Sequence, residues 1–191
     1  MRKDAPFSNQ LEDIPKLVHY LSFEWNSFHT VLDTVRRFRK ILSHENDPPI
    51  DRVIESGAVQ YFAQLLDPTH IEQYCQVKKT SNELSDPSKL NVISLRQLYE
   101  LQFEATWCIR IIVGGTGGRI TYIVEMGCVP QLINLIESED SNVRYQCVWA
   151  IGNIGCDSDA IRDYIIGLGV MKHLVKLMET DQSIRNRRKC K

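Results

Sequence analysis

The chain has 191 residues, enough for one or two ordinary domains. With 43% hydrophobic and 25% charged residues, its composition is that of a folded protein and excludes a wholly disordered one. Net charge is −1, but Arg185 to Lys191 hold five basic side chains and no acid, leaving 18 basic against 24 acidic residues elsewhere.

An acidic body suits a basic ligand better than nucleic acid. No apolar run approaches the roughly 20 residues of a membrane helix, so no membrane partner is expected. The polar start has no apolar stretch of the kind a secretion signal needs. Cys75, Cys108, Cys128, Cys147, Cys156 and Cys190 form no CxxC pair, and the five histidines have no metal-ligand spacing. No metal, disulfide or cofactor is therefore expected, and a reducing interior is the default. Cys108 and Cys147 read as small core residues.

Residues 1–13 are polar and without pattern. A short apolar helix is expected from Ile14 to Leu21, with Pro15 in its first turn. Trp25 and Phe28 are expected to pack against the next helix. Thr30 to Leu42 has apolar residues at spacings of three and four, with Arg36, Arg37, Arg39 and Lys40 between them as a solvated face. Asn46-Asp-Pro-Pro49 ends that helix. From Ile50 to Leu66 a short helix, a break at Gly57 and a second helix are expected. Residues 67–97 turn polar and read as a long insertion, with 71–77 and 90–98 as its candidate helices. A strongly apolar helix runs from Leu98 to Val113 and stops at the glycines 114–118. Ile120 to Glu125 and Val129 to Ile136 form a pair around Gly127. Ser138 to Ser141 caps a further helix, Asn142 to Gly155. Ile161 to Met178 repeats the pair.

The pattern is periodic. At an offset of 42, Trp107 meets Trp149, Ile123 meets Ile165, Gly127 meets Gly169 and Leu135 meets Leu177. At an offset of 70, Val53 meets Ile123, Glu55 meets Glu125, Gly57 meets Gly127 and Leu65 meets Leu135. The difference falls in the insertion. A period near 42 of helix–Gly–helix–loop–helix units marks an all-α, armadillo-type right-handed superhelical solenoid of about three repeats. The expected division is an N-terminal segment at 1–29, partly helical, repeat 1 at 30–66, an insertion loop at 67–97, repeat 2 at 98–138, repeat 3 at 139–178 and a basic tail at 179–191.

In such a solenoid the third helix of each unit lines the concave groove. Trp107 and Trp149 share one register there, as neighbouring rungs. A lysine or arginine stem fits between two indoles, and its cation gains about 0.5–2 kcal/mol from the rings. Asn153, four residues beyond Trp149, can hold the main chain of an extended peptide. Asp157 can pair with the cationic head. The ordinary alternative for each tryptophan is core packing. The glycines 114–118 lack the lysine and the βαβ frame of a phosphate-binding loop, and no nucleophile–base pair stands out, so neither catalytic residues nor an enzyme are expected.

Leu101-Gln-Phe-Glu-Ala-Thr-Trp107 and Val148-Trp-Ala-Ile-Gly-Asn-Ile-Gly-Cys-Asp157 resemble the second and third armadillo repeats of importin-alpha (karyopherin-alpha). Arg162-Asp163-Tyr164 comes next as it does there, and Phe38 to Asp51 resembles the family's entry into its first repeat. The resemblance covers roughly 30–66 and 98–178. It implies a nuclear import adaptor, present in cytoplasm and nucleus, whose groove binds Lys/Arg-rich nuclear localisation signals of cargo proteins. It would place Trp107, Trp149 and Asn153 in the peptide-binding site, with Asp157 and the main chain at Gly115 holding a key lysine.

The chain also departs from that pattern. Ile111 replaces the asparagine expected after Trp107, with Arg110 beside it. Ile120 stands where a threonine is usual. No basic segment for recruiting importin-beta precedes residue 14, so that partner is uncertain. The chain stops where a fourth repeat would begin, so a further Trp/Asn rung is expected to be missing. A scaffold or decoy that binds other proteins without transport is the competing expectation. The tail Arg185 to Lys191 is read as solvated, with docking in a groove as its alternative.

Overall fold

A computed structural model of the chain describes residues 13–44, 48–78, 91–115 and 118–180. Residues 1–12 and 181–191 lie outside these; of the basic tail expected at 179–191 only 179–180 are described, as the end of the last helix. The first helix, α1, is Ile14–Val18, with Pro15 in its first turn as expected. Three long helices come after it, each ending a unit: α2, Phe28–Leu42; α6, Leu95–Val113; and α9, Ser141–Gly155. Between and beyond them lie helix pairs. These are α3, Ile50–Glu55, with α4, Ala58–Leu66; α7, Gly118–Glu125, with α8, Cys128–Leu135; and α10, Asp159–Gly167, with α11, Val170–Thr180.

The repeat has a backbone cause. Gly57, Gly127 and Gly169 have φ of 79°, 72° and 83°, the left-handed region that strongly favours glycine. Each sits between the two helices of a pair and turns the chain there. The offsets in the sequence therefore repeat a conformation as well as a residue type.

Neither helix of a pair buries its apolar stripe alone. Phe38 of α2 meets Phe62 of α4 edge-on, with ring centroids 5.4 Å apart, and both are fully buried. Leu101, Ala105, Cys108, Ile109 and Ile112 of α6 are also fully buried. Helix α6 packs against both α2 and α9 and is the centre of the core. Burial pushes the Cys128 and Cys147 thiols up to about 12 and the Cys108 thiol well above its ordinary value. These thiols stay protonated core groups, the packing role expected of Cys108 and Cys147.

The described ends of the expected insertion loop have regular structure. Helix α5, Pro68–Tyr74, starts on the Asp67 cap and is followed by β1, Cys75–Lys78. Strand β1 pairs in parallel with β2, Asn91–Ser94, in the register Cys75↔Asn91 to Lys78↔Ser94. The helices expected at 71–77 and 90–98 are thus corrected: 75–78 and 91–94 are strand, and α6 begins at Leu95. A capping box fixes that start. Ser94 Oγ accepts from the Gln97 amide at 3.3 Å, and Gln97 Oε1 accepts from the Ser94 amide at 2.9 Å. Ile71, Cys75 and Ile93 are buried, and Asn91 Oδ1 accepts the Phe28 amide at 3.0 Å. These described ends pack against the N-terminal end of α2.

Phe28 is buried as expected, but Trp25 is 83% exposed and does not join the core. Truncating Phe62 to alanine should cost about 3–5 kcal/mol in urea denaturation, because the rigid frame leaves a cavity. Trp25→Ala should stay within about 0.5 kcal/mol in the same measurement.

Candidate peptide-binding groove

The three long helices define a common register when counted back from their ends. Six residues before the last helical residue stand Arg36, Trp107 and Trp149. Two before it stand Lys40, Ile111 and Asn153. The second and third rungs are those expected from the sequence. The first is cationic at both positions.

Each tryptophan is fixed by an aromatic residue one helical turn earlier. Phe103 meets Trp107 edge-on at 5.3 Å, and Tyr145 meets Trp149 edge-on at 5.5 Å. Such pairs contribute about 0.5–1.5 kcal/mol beyond their buried area. Trp149 remains 46% exposed, while Trp107 is half-buried. Phe103 and Tyr145 were not singled out in the sequence, although they share the 42-residue offset.

A cleft of ≈ 440 Å³ opens beside these rungs. Gly114 and Gly115 at the end of α6, Ile120 of α7, and Asn153, Cys156 and Asp157 at the end of α9 line it. Gly115, Asn153 and Asp157 are therefore brought to one place. Asp157 is exposed, and its carboxylate makes no ion pair among the described residues. Ile120 is buried and makes one wall apolar. Arg119 lies against Gly115, but its charge is engaged by Asp51, with Nε and Nη2 donating to the two carboxylate oxygens at 2.9 and 3.0 Å.

The α2 side of the groove differs from a solvated basic face. Arg36 Nη1 donates to Asp33 at 2.8 Å and its Nη2 to Glu100; Arg39 Nε donates to the buried Glu104. The Arg39 guanidinium also lies 4.9 Å from the Trp107 ring. Two of the four cations expected in solvent thus tie α2 to α6. The space between the indoles is also engaged. Arg110 places its guanidinium 5.1 Å from the Trp107 ring and 4.6 Å from the Trp149 ring. Its Nε is buried with no hydrogen-bond partner, and it makes no ion pair among the described residues. Desolvation there pulls the Arg110 guanidinium below its ordinary pKa, against a smaller opposing effect of Tyr145.

Comparison with known proteins agrees with the repeat fold. Residues 119–155 match the Armadillo/beta-catenin-like repeat family. Importin subunit alpha-2 of Arabidopsis thaliana is 32% identical over 163 residues, covering 85% of this chain and 25% of the relative. Importin subunit alpha-1b of Oryza sativa subsp. japonica is 32% identical over 172 residues, covering 90% and 27% respectively. The chain is an armadillo-repeat protein related to importin-alpha. This importin-alpha-like chain spans about a quarter of the length of those curated relatives. Among solved structures, a designed armadillo repeat protein in complex with the peptide (KR)4 superposes with a TM-score of 0.69 at 24% identity, covering 93% of this chain and 63% of the other. The fold is an all-α armadillo solenoid with one added pair of short strands.

The α2–α6 junction should depend on its buried carboxylate. Glu104→Ala strips the partner from Arg39 and should cost about 2–4 kcal/mol in denaturant unfolding. Glu100→Ala removes a carboxylate that is 43% exposed and should cost no more than about 1 kcal/mol.

Proposed function

We propose that this importin-alpha-like chain binds an extended peptide of a partner protein in its groove, with a lysine or arginine as the anchor. The cleft that gathers Gly115, Asn153 and the unpaired Asp157 beside the exposed Trp149 carries this reading. The Trp149 indole supports the methylene stem. The Asp157 carboxylate takes the cationic head, and Asn153 holds the peptide main chain. Trp107 is the second rung. Nuclear localisation signals are the ligand class that the resemblance to importin-alpha implies, and the work would then lie in cytoplasm and nucleus.

Fluorescence anisotropy with a labelled lysine-containing peptide tests this. Asp157→Asn and Trp149→Ala should each weaken binding by roughly tenfold, the scale of one lost ion pair or ring contact. No binding to wild type, or equal binding by all three proteins, sinks the reading. Co-precipitation with importin-beta then separates an import adaptor from a decoy that holds basic partners without carrying them.

A further inference from the structure

The space between Trp107 and Trp149 is the natural slot for a second ligand cation, and the chain places its own cation there. Arg110 lies within contact range of both indoles, at 5.1 and 4.6 Å. A lysine or arginine of a ligand would have to displace it or face it at close range, where like charges repel. A cation held there also lacks what its neighbours have. Arg36 reaches Asp33 and Glu100, Arg39 reaches Glu104 and Arg119 reaches Asp51, whereas Arg110 meets no carboxylate among the described residues. Its Nε is buried and unused. A guanidinium packed against two rings with no carboxylate beside it is costly, and a carboxylate arriving at its terminal N–H groups, which are not buried, relieves part of that cost.

Among the described residues, three charged groups on or beside the rungs make no ion pair: Asp157 in the cleft at the α9 end, Arg110 between the second and third rungs, and exposed Lys40 in the register of the first rung. A ligand therefore meets an acid at the cleft and a cation between the indoles.

We propose that Arg110 is a specificity-determining residue that closes the Trp107–Trp149 slot to a ligand cation and makes it a carboxylate-binding subsite. The partner is then a peptide with one basic anchor and an aspartate or glutamate close by, in place of an uninterrupted basic run. This rests on the proposed peptide-binding role of the groove and narrows its ligand. Ring stacking holds the guanidinium in place, and its terminal N–H groups donate to the ligand carboxylate.

Three labelled peptides of equal length, titrated against the full chain by anisotropy, test this. One is all Lys/Arg, one has a single lysine flanked on both sides by glutamates, and one has the same lysine flanked by glutamines. Wild type should bind the glutamate peptide about tenfold more tightly than either of the others, although its body is acidic. Arg110→Gln and Arg110→Met should abolish that preference and improve binding of the all-basic peptide; the Met variant keeps an apolar filler between the indoles. Circular dichroism melting confirms that both variants fold. A wild type that prefers the all-basic peptide, or an order unchanged in both variants, overturns the proposal. If Asp157→Asn weakens all three peptides while the Arg110 variants leave the order intact, the basic anchor stands and the carboxylate subsite falls. If Asp157→Asn alters none of them but the Arg110 variants still erase the glutamate preference, the anchor falls and the subsite stands.

Discussion

Helix α6 has to be covered on two sides, and the rest of the molecule depends on that constraint. Its buried positions face both α2 and α9, so it cannot exist as a single amphipathic helix with one solvated face. Stacking similar units supplies the two covers, which is why a unit too small to fold alone becomes part of a continuous core. The rungs of the groove inherit their spacing from that stack. Trp107 and Trp149 are neighbours because the helices that carry them must be neighbours. Gly57 and Gly127 serve the same end, since each turns the chain within the pair that precedes the next long helix.

The two junctions of α6 use different chemistry. Toward α9 the contact is mainly apolar, with fully buried Val143, Cys147 and Ala150. Toward α2 it adds guanidinium–carboxylate pairs at Arg36 and Arg39. Those pairs engage cations that would otherwise face solvent. They also draw Arg39 against Trp107, so that indole has two arginines of its own chain near it before any ligand arrives. The third rung has no such neighbour from beyond α9 among the described residues, and Trp149 is correspondingly the more open of the two.

Much of this was legible in the sequence for a physical reason. Apolar periodicity and glycines at fixed offsets report local backbone demands that every unit shares, so helices, breaks and the repeat could be read from residue types alone. The juxtaposition of Trp149, Asn153 and Asp157 was legible because they lie close together on one helix and its end. The features that stayed hidden depend on partners distant along the chain. Arg36 and Arg39 look like solvated cations until Glu100 and Glu104 are placed opposite them. The short strands 75–78 and 91–94 stabilise one another, and neither carries a local signal strong enough to announce it. Arg110 could be seen as a foreign cation near the groove, but its position between two indoles is a property of the stacked helices.

The placement of Arg110 has an optical consequence. Indole emission responds to nearby charge and to water, and here a single cation touches two of the three indoles in the chain. Any event that moves that guanidinium changes the surroundings of both rings together. The third indole, Trp25, is 83% exposed, makes no ring contact with these two among the described residues, and supplies a steady background. The two indoles thus form an intrinsic reporter of where that guanidinium sits, readable without a label.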